Sequence, residues 1–130
     1  MNIPLFVYGS LMEGEELHGY LSGLTSRPAR TRGSLFRLPA GYPALVQQAG
    51  NQWAKGELFT LQSMARFSVL DLLEGVNRGL YERKKIPVEW QGQNLQAWAY
   101  VMNAKQVADF GGKIIPSGDW RNVPRTTHSI

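Results

Sequence analysis

Setting aside the familiar reactive arrangements one by one leaves one carboxylate and one turn where this chain could do chemistry. Ser10 is not the serine of a Gly-x-Ser-x-Gly elbow, because Met12 stands where the second glycine belongs. The imidazole bases are His18, which reads as a surface or structural histidine just after that serine, and His128, near the end of the chain. There is no cysteine, so thiol nucleophiles, thiolate metal sites and disulfides are excluded together. Gly111-Gly112-Lys113 resembles the end of a phosphate loop, yet Val107 and Ile114 occupy the positions of its first glycine and its hydroxyl residue. Neither a Gly-x-Gly-x-x-Gly run nor a paired-histidine metal spacing occurs, and no cofactor is expected.

The carboxylate that remains is Glu74, in Leu70-Asp71-Leu72-Leu73-Glu74-Gly75-Val76. One residue before a helix-terminating glycine, it faces the negative end of the helix dipole, which raises its proton affinity and suits it to act as a base. A nearby Asp71 would push the same way. The plainer alternative is a solvated helix end. The turn is Tyr8-Gly9-Ser10-Leu11, where an apolar strand over residues 3–8 stops at a glycine. Exposed N–H groups there, at the start of a helix expected over residues 14–24, would suit a carboxylate or a developing oxyanion. An ordinary strand-to-helix turn is the alternative.

The elements that must position these groups follow from pattern. Residues 26–32, with Pro28 and polar side chains, read as a break, and residues 33–38 and 44–47 as short strands either side of the Pro39-Ala40-Gly41-Tyr42-Pro43 turn. Gly50-Asn51-Gln52 leads into an alternating strand, Trp53–Leu61. Met64, Phe67, Leu70 and Leu73 predict a helix over residues 62–74, stopped by Gly75, with its apolar stripe in the core. Residues 80–90 and 95–102 form a hairpin about Gln91-Gly92-Gln93-Asn94, with Pro87 at an edge or bulge and Tyr81, Arg83 and Lys85 on one face. Beyond 103 only a short helix near residues 105–110 is expected. Roughly five or six strands and two helices with tight connections argue for an α+β fold around a curved, largely antiparallel sheet or small barrel.

With 130 residues and no internal repeat, residues 1–130 read as a single domain with a loose C-terminal tail from about 121. No leader pattern and no long apolar run is visible, so the expectation is a soluble, cytoplasmic protein with no membrane partner. The net charge of +4 gathers in Arg27, Arg30, Arg32 and Arg37 and in Arg78, Arg83, Lys84 and Lys85. Without an RNA-recognition aromatic signature or a recognition helix, these residues read as solvated faces and not as a nucleic-acid surface, although they would draw small anions. Oligomeric state is left open.

Taken in order, Val7-Tyr8-Gly9-Ser10-Leu11, Leu70-Asp71-x-x-Glu74-Gly75 and Tyr81, seven residues after Glu74 and followed by Arg83, resemble the γ-glutamylcyclotransferase-like family. The resemblance spans about residues 5–102 and extends in style to Gly41-Tyr42-Pro43 and Pro116-Ser117-Gly118-Asp119-Trp120. It implies a small barrel flanked by helices with a pocket at the strand-to-loop turn. It implies that Tyr8, Gly9, Ser10 and Leu11 form the substrate-binding loop, that Glu74 is the general acid/base, and that Tyr81 lines the pocket. Leu11 stands where some members carry a polar residue. The implied reaction is conversion of a γ-glutamyl amine or peptide to 5-oxoproline and a free amine, without metal. A noncatalytic domain of the same architecture that binds a small anionic metabolite, or serves in protein interaction, is the competing reading.

Overall fold

The computed structural model describes residues 2–48 and 50–122. Its centre is a closed barrel of five strands: β1 (Ile3–Val7), β2 (Ser26–Arg37), β4 (Trp53–Leu61), β5 (Glu82–Trp90) and β6 (Gln93–Val101). They follow one another around the barrel as β2-β4-β1-β6-β5, and β5 returns to β2 at the Arg30↔Glu89 pair. Neighbours are antiparallel except β1 and β6, which run parallel where Leu5 meets Trp98. The seam between β5 and β2 is fastened by an ion pair from Arg30 Nε to Glu89 Oε1 (2.7 Å) and by the Thr31 hydroxyl, which donates to the Pro87 carbonyl (2.6 Å). Pro87, expected at an edge or bulge, lies at this seam.

The second half of β2 leaves the barrel. From Gly33 onward it pairs with β3 (Pro43–Gln47), and near its end also with the short β7 (Lys113–Ile114). Gly33 sits at the change of partner with φ 155°, and a Cβ there would meet the Val46 carbonyl at 2.7 Å, so the crossing requires glycine. Leu5, Phe6, Phe59, Leu61, Ile86, Val88 and Ala99 fill the core, joined by Leu35 and Leu45 from the β2–β3 extension and by Phe67 and Leu70 from helix α1 (Phe67–Leu73).

Several elements differ from the sequence pattern. Residues 26–32 are not a break but the first half of β2, paired to β4 from Ser26↔Phe59 to Arg32↔Trp53. Their polar side chains cover tryptophans: Arg27 lies over Trp90 (5.3 Å), and Arg30 and Arg32 over Trp53 (3.7 and 3.9 Å). The helix expected over residues 14–24 is a series of turns with one 3-10 segment, His18–Leu21, because Gly14 (φ 82°) and Gly23 (φ 83°) interrupt it. The helix expected over residues 62–74 is a 3-10 turn, Met64–Arg66, running into α1, and Met64 is exposed instead of joining the apolar stripe. Helix α2 (Ala104–Asp109) falls where a short helix was expected, capped by the Asn103 side chain, which accepts from Gln106 N (2.8 Å). The loose tail expected from about 121 lies outside the described residues except for Arg121 and Asn122. These two belong to a 3-10 turn, Trp120–Asn122, and Arg121 pairs with Glu57 (3.2 Å). Among the described residues no helix is long and apolar enough to cross a membrane.

Candidate active site

A cavity of about 270 Å³ opens where β1 ends, and its wall includes Tyr8, Gly9, Ser10, Leu11, Glu74 and Tyr81. The structure thus brings together, from two distant stretches, every site residue that the resemblance implies. Tyr42, Pro43, Arg78 and Tyr100 also line the wall, as does Phe6. Tyr42 and Pro43 belong to a turn read in the sequence without a site role, Arg78 is noted there only within a basic segment, and Tyr100 carries no local signal.

The loop after β1 is shaped by its own carbonyls. Gly9 O accepts from Met12 N (3.0 Å), Ser10 O from Leu17 N (2.7 Å), and Leu11 O lies 3.2 Å from the His18 ring nitrogen Nδ1. His18 is therefore a structural side chain behind the loop, its ring also packed against Phe59. With the carbonyls so engaged, the N–H groups of Gly9, Ser10 and Leu11 donate to no other described residue. Three consecutive uncommitted donors on a cavity wall suit an anionic oxygen. They owe this to the loop turns, not to the helix N-terminus expected from sequence. Gly9 itself has no left-handed backbone; it is glycine because the Pro43 ring lies against it.

Glu74 caps the C-terminus of α1, its N–H bonded to Leu70 O (3.0 Å), and its half-buried carboxylate makes no hydrogen bond to another described residue. Burial pushes its pKa from the ordinary carboxylate value up to about 7. The cause is burial, not the neighbouring acid enlisted from sequence. Asp71 turns to a different set of partners, Arg83 Nε (2.9 Å) and Nη2 (3.3 Å) and the Tyr100 hydroxyl (2.7 Å). Arg83 in turn lies over the rings of Phe67 (4.2 Å) and Trp98 (4.8 Å), and Lys85 shares Trp98 (5.3 Å).

Three phenols surround Glu74, and each is held protonated chiefly by burial. The Tyr8 pKa is raised by burial and by the proximity of Tyr81 and Glu74, with partial relief from the Leu45 N–H; that of Tyr81 by burial, Glu74 and Tyr42; and that of Tyr100 by burial and its bond to Asp71. Tyr8 donates to Tyr100 O (2.6 Å) and accepts from Leu45 N (3.3 Å), tying β1 to β6 and β3. Tyr81 donates to Pro43 O. Both hydroxyls are thus used within the protein, while the rings line the cavity. Among the described residues no three His, Cys, Asp or Glu side chains gather as a metal-ligand set.

From residue 5 to residue 122 the sequence matches the family described as Gamma-glutamyl cyclotransferase, AIG2-like. The chain belongs to this family. It is 36% identical over 105 residues to the γ-L-glutamyl-butirosin B γ-glutamyl cyclotransferase of Niallia circulans, covering 76% of this chain and 66% of that enzyme. It is 30% identical over 123 residues to YkqA of Bacillus subtilis, covering 93% of this chain and 42% of YkqA. The crystal structure of YkqA superposes with a TM-score of 0.72 at 31% identity, over 93% of this chain and 40% of that one. The chain thus spans about two thirds and less than half of the lengths of these two relatives. Within this γ-glutamylcyclotransferase-like family the small closed barrel is the shared framework.

Proposed function

We propose that the protein is a γ-glutamylcyclotransferase that converts a γ-glutamyl amine or peptide to 5-oxoproline and the free amine. The observation that carries this reading is Glu74: a half-buried carboxylate whose protonation equilibrium lies at about 7, on the same cavity wall as the three uncommitted amides of residues 9–11. Membership of the family and the butirosin-directed relative support it from outside the site.

The chemistry needs no external nucleophile. In the folded conformer of the substrate the α-amine lies beside its own γ-carbonyl carbon, so holding that conformer supplies most of the rate advantage through proximity. The amine nitrogen attacks the carbonyl carbon and gives up a proton to the Glu74 carboxylate. The tetrahedral oxyanion then collapses, the bond to the departing nitrogen breaks, and Glu74 returns the proton to that nitrogen. A group that must both take and return a proton works best when its pKa lies near ambient pH, which is what burial provides here. The amides of Gly9, Ser10 and Leu11 hold the anionic glutamyl end, and the rings of Tyr8 and Tyr81 close the wall against water. No metal takes part in this sequence of steps. Incubating the purified protein with a panel of γ-glutamyl compounds and assaying 5-oxoproline by mass spectrometry tests the reading; absence of product from the whole panel would end it.

A further inference from the structure

Among the described residues, Arg78 is the one cationic side chain on the cavity wall. Among the described residues its guanidinium has no ion-pair, hydrogen-bond or ring partner. Several other arginines are engaged: Arg30 with Glu89, Arg83 with Asp71, Arg121 with Glu57, and Arg66 with the Tyr20 carbonyl, whereas Arg37, like Arg78, has no side-chain partner among the described residues. Arg78 ends the 3-10 turn Val76–Arg78, held between Gly75 (φ 65°) and Gly79 (φ 70°). Its side chain folds back along the chain, so that a Cβ at position 75 would lie 2.9 Å from its Nη2. The guanidinium therefore packs on the residue that follows Glu74. It does not neutralise that carboxylate, whose raised pKa has burial as its cause.

We propose that Arg78 is a specificity-determining residue that receives a carboxylate borne by the departing amine, so that the protein selects γ-glutamyl compounds with an anionic leaving part. This rests on the cyclotransferase reading above. In that reaction Glu74 must touch the departing nitrogen to return its proton, so the substituent on that nitrogen lies beside Glu74, where Arg78 is folded. The glutamyl end already has donors in the amides of residues 9–11. An arginine fork matches a carboxylate with two parallel N–H donors and provides no such match for a neutral or cationic substituent. Glu15 and Glu16 border a neighbouring depression and not this cavity. Glu15 also has Arg121 Nε at 3.8 Å, so these residues do not argue for a cationic leaving group here.

The test compares kcat/KM of the wild type, Arg78→Gln and Arg78→Glu on γ-glutamylglycine, γ-glutamylethylamide and γ-glutamyl-2-aminoethylamide. Their leaving amines are anionic, neutral and cationic beyond the reacting nitrogen. Arg78 is exposed, and a thermal melt of each variant verifies that the fold is retained. Arg78→Gln should lower the ratio of kcat/KM for γ-glutamylglycine over the ethylamide about tenfold, the scale of a hydrogen bond to a charged group. Arg78→Glu should invert the preference between the anionic and cationic substrates. An unchanged ratio, whether kcat/KM falls equally on all three substrates or on none, would overturn the assignment while leaving the cyclotransferase reading standing. If the wild type releases no 5-oxoproline from any γ-glutamyl compound, both fall.

Discussion

The ring of Pro43 fills the space beside Gly9 so closely that a Cβ on residue 9 would lie 2.5 Å from Pro43 Cγ. The same proline accepts the Tyr81 hydroxyl on its carbonyl, so three wall residues from three parts of the chain are set against one another. Gly9→Val would push Pro43 away, widening the cavity and disturbing its contact with Tyr81. Overpacking of this kind costs about 1–3 kcal/mol, and turnover should suffer beyond what the loss of fold explains. Thermal melts and turnover measured together would check it; equal loss of both would reduce Gly9 to a packing residue.

Tyr81→Phe keeps the ring and leaves the buried Pro43 carbonyl without its donor. A loss of about 1–3 kcal/mol in urea denaturation is expected, the cost of an unsatisfied buried acceptor. Turnover or KM should change as well, since the wall that Tyr81 holds is the one facing Glu74. Normal kinetics with reduced stability would show that Tyr81 serves the core alone.

Glu74→Gln preserves shape and removes the ability to carry a proton. If Glu74 is the acid/base, turnover should fall by about 10²-fold to 10⁴-fold, while an unreacted γ-glutamyl ligand still binds. A fall of less than about tenfold, in a well-folded variant, would sit below that range and would sink the mechanism.

Burial also makes Glu74 a pH-dependent liability to the fold. Its pKa is about 7 folded against 4.5 as the ordinary value, so between these the folded state holds more protons and stability declines as pH rises. The stabilising contribution is fully present below about 4.5 and is gone above about 7. The melting temperature of Glu74→Gln should therefore gain on the wild type between pH 5 and pH 8, by an amount that levels off above the folded pKa. In the same range the wild-type kcat/KM should climb as Glu74 deprotonates, with a limb near pH 7. A constant difference in melting temperature across the range would contradict the burial effect.

Activity should survive exhaustive treatment with a chelator, because every proton and bond in the proposed steps is handled by substrate and side chains. Inhibition by a chelator that one divalent ion reverses would refute that scheme.

Local signals carried much of this molecule. The apolar run into Gly9, the stop at Gly75 and the turn at Gln91-Gly92 each act within a few residues; β1 and the β5–β6 hairpin lie where the pattern puts them, and α1 ends where it does although it begins later. The first half of β2 was hidden because its arginines point outward to cover Trp53 and Trp90, leaving no apolar alternation to read. The false helix over residues 14–24 arose because Leu17, Leu21 and Leu24 have helical spacing, yet they reach the core from successive turns. In the cavity, Glu74 and the 8–11 loop were legible from their neighbours in sequence. Tyr100 and Arg78 were not, since what brings Tyr100 to the wall is pairing across the barrel, and what brings Arg78 there is the short turn after Gly75 that folds its guanidinium back along the chain.

Parallel pairing of β1 with β6 has a consequence during synthesis. Once residue 61 has emerged, β1 can take β4 as one neighbour, but its other edge stays open until Gln93–Val101 has been made. A nascent chain of about residue 90 therefore presents an apolar strand with a bare flank, able to pair with another nascent copy. The candidate site cannot exist at that stage, because Tyr8 gains its Tyr100 anchor only when β6 arrives. Closure of the barrel and assembly of the cavity are thus a single late, long-range event, of the kind that slows folding relative to locally connected topologies.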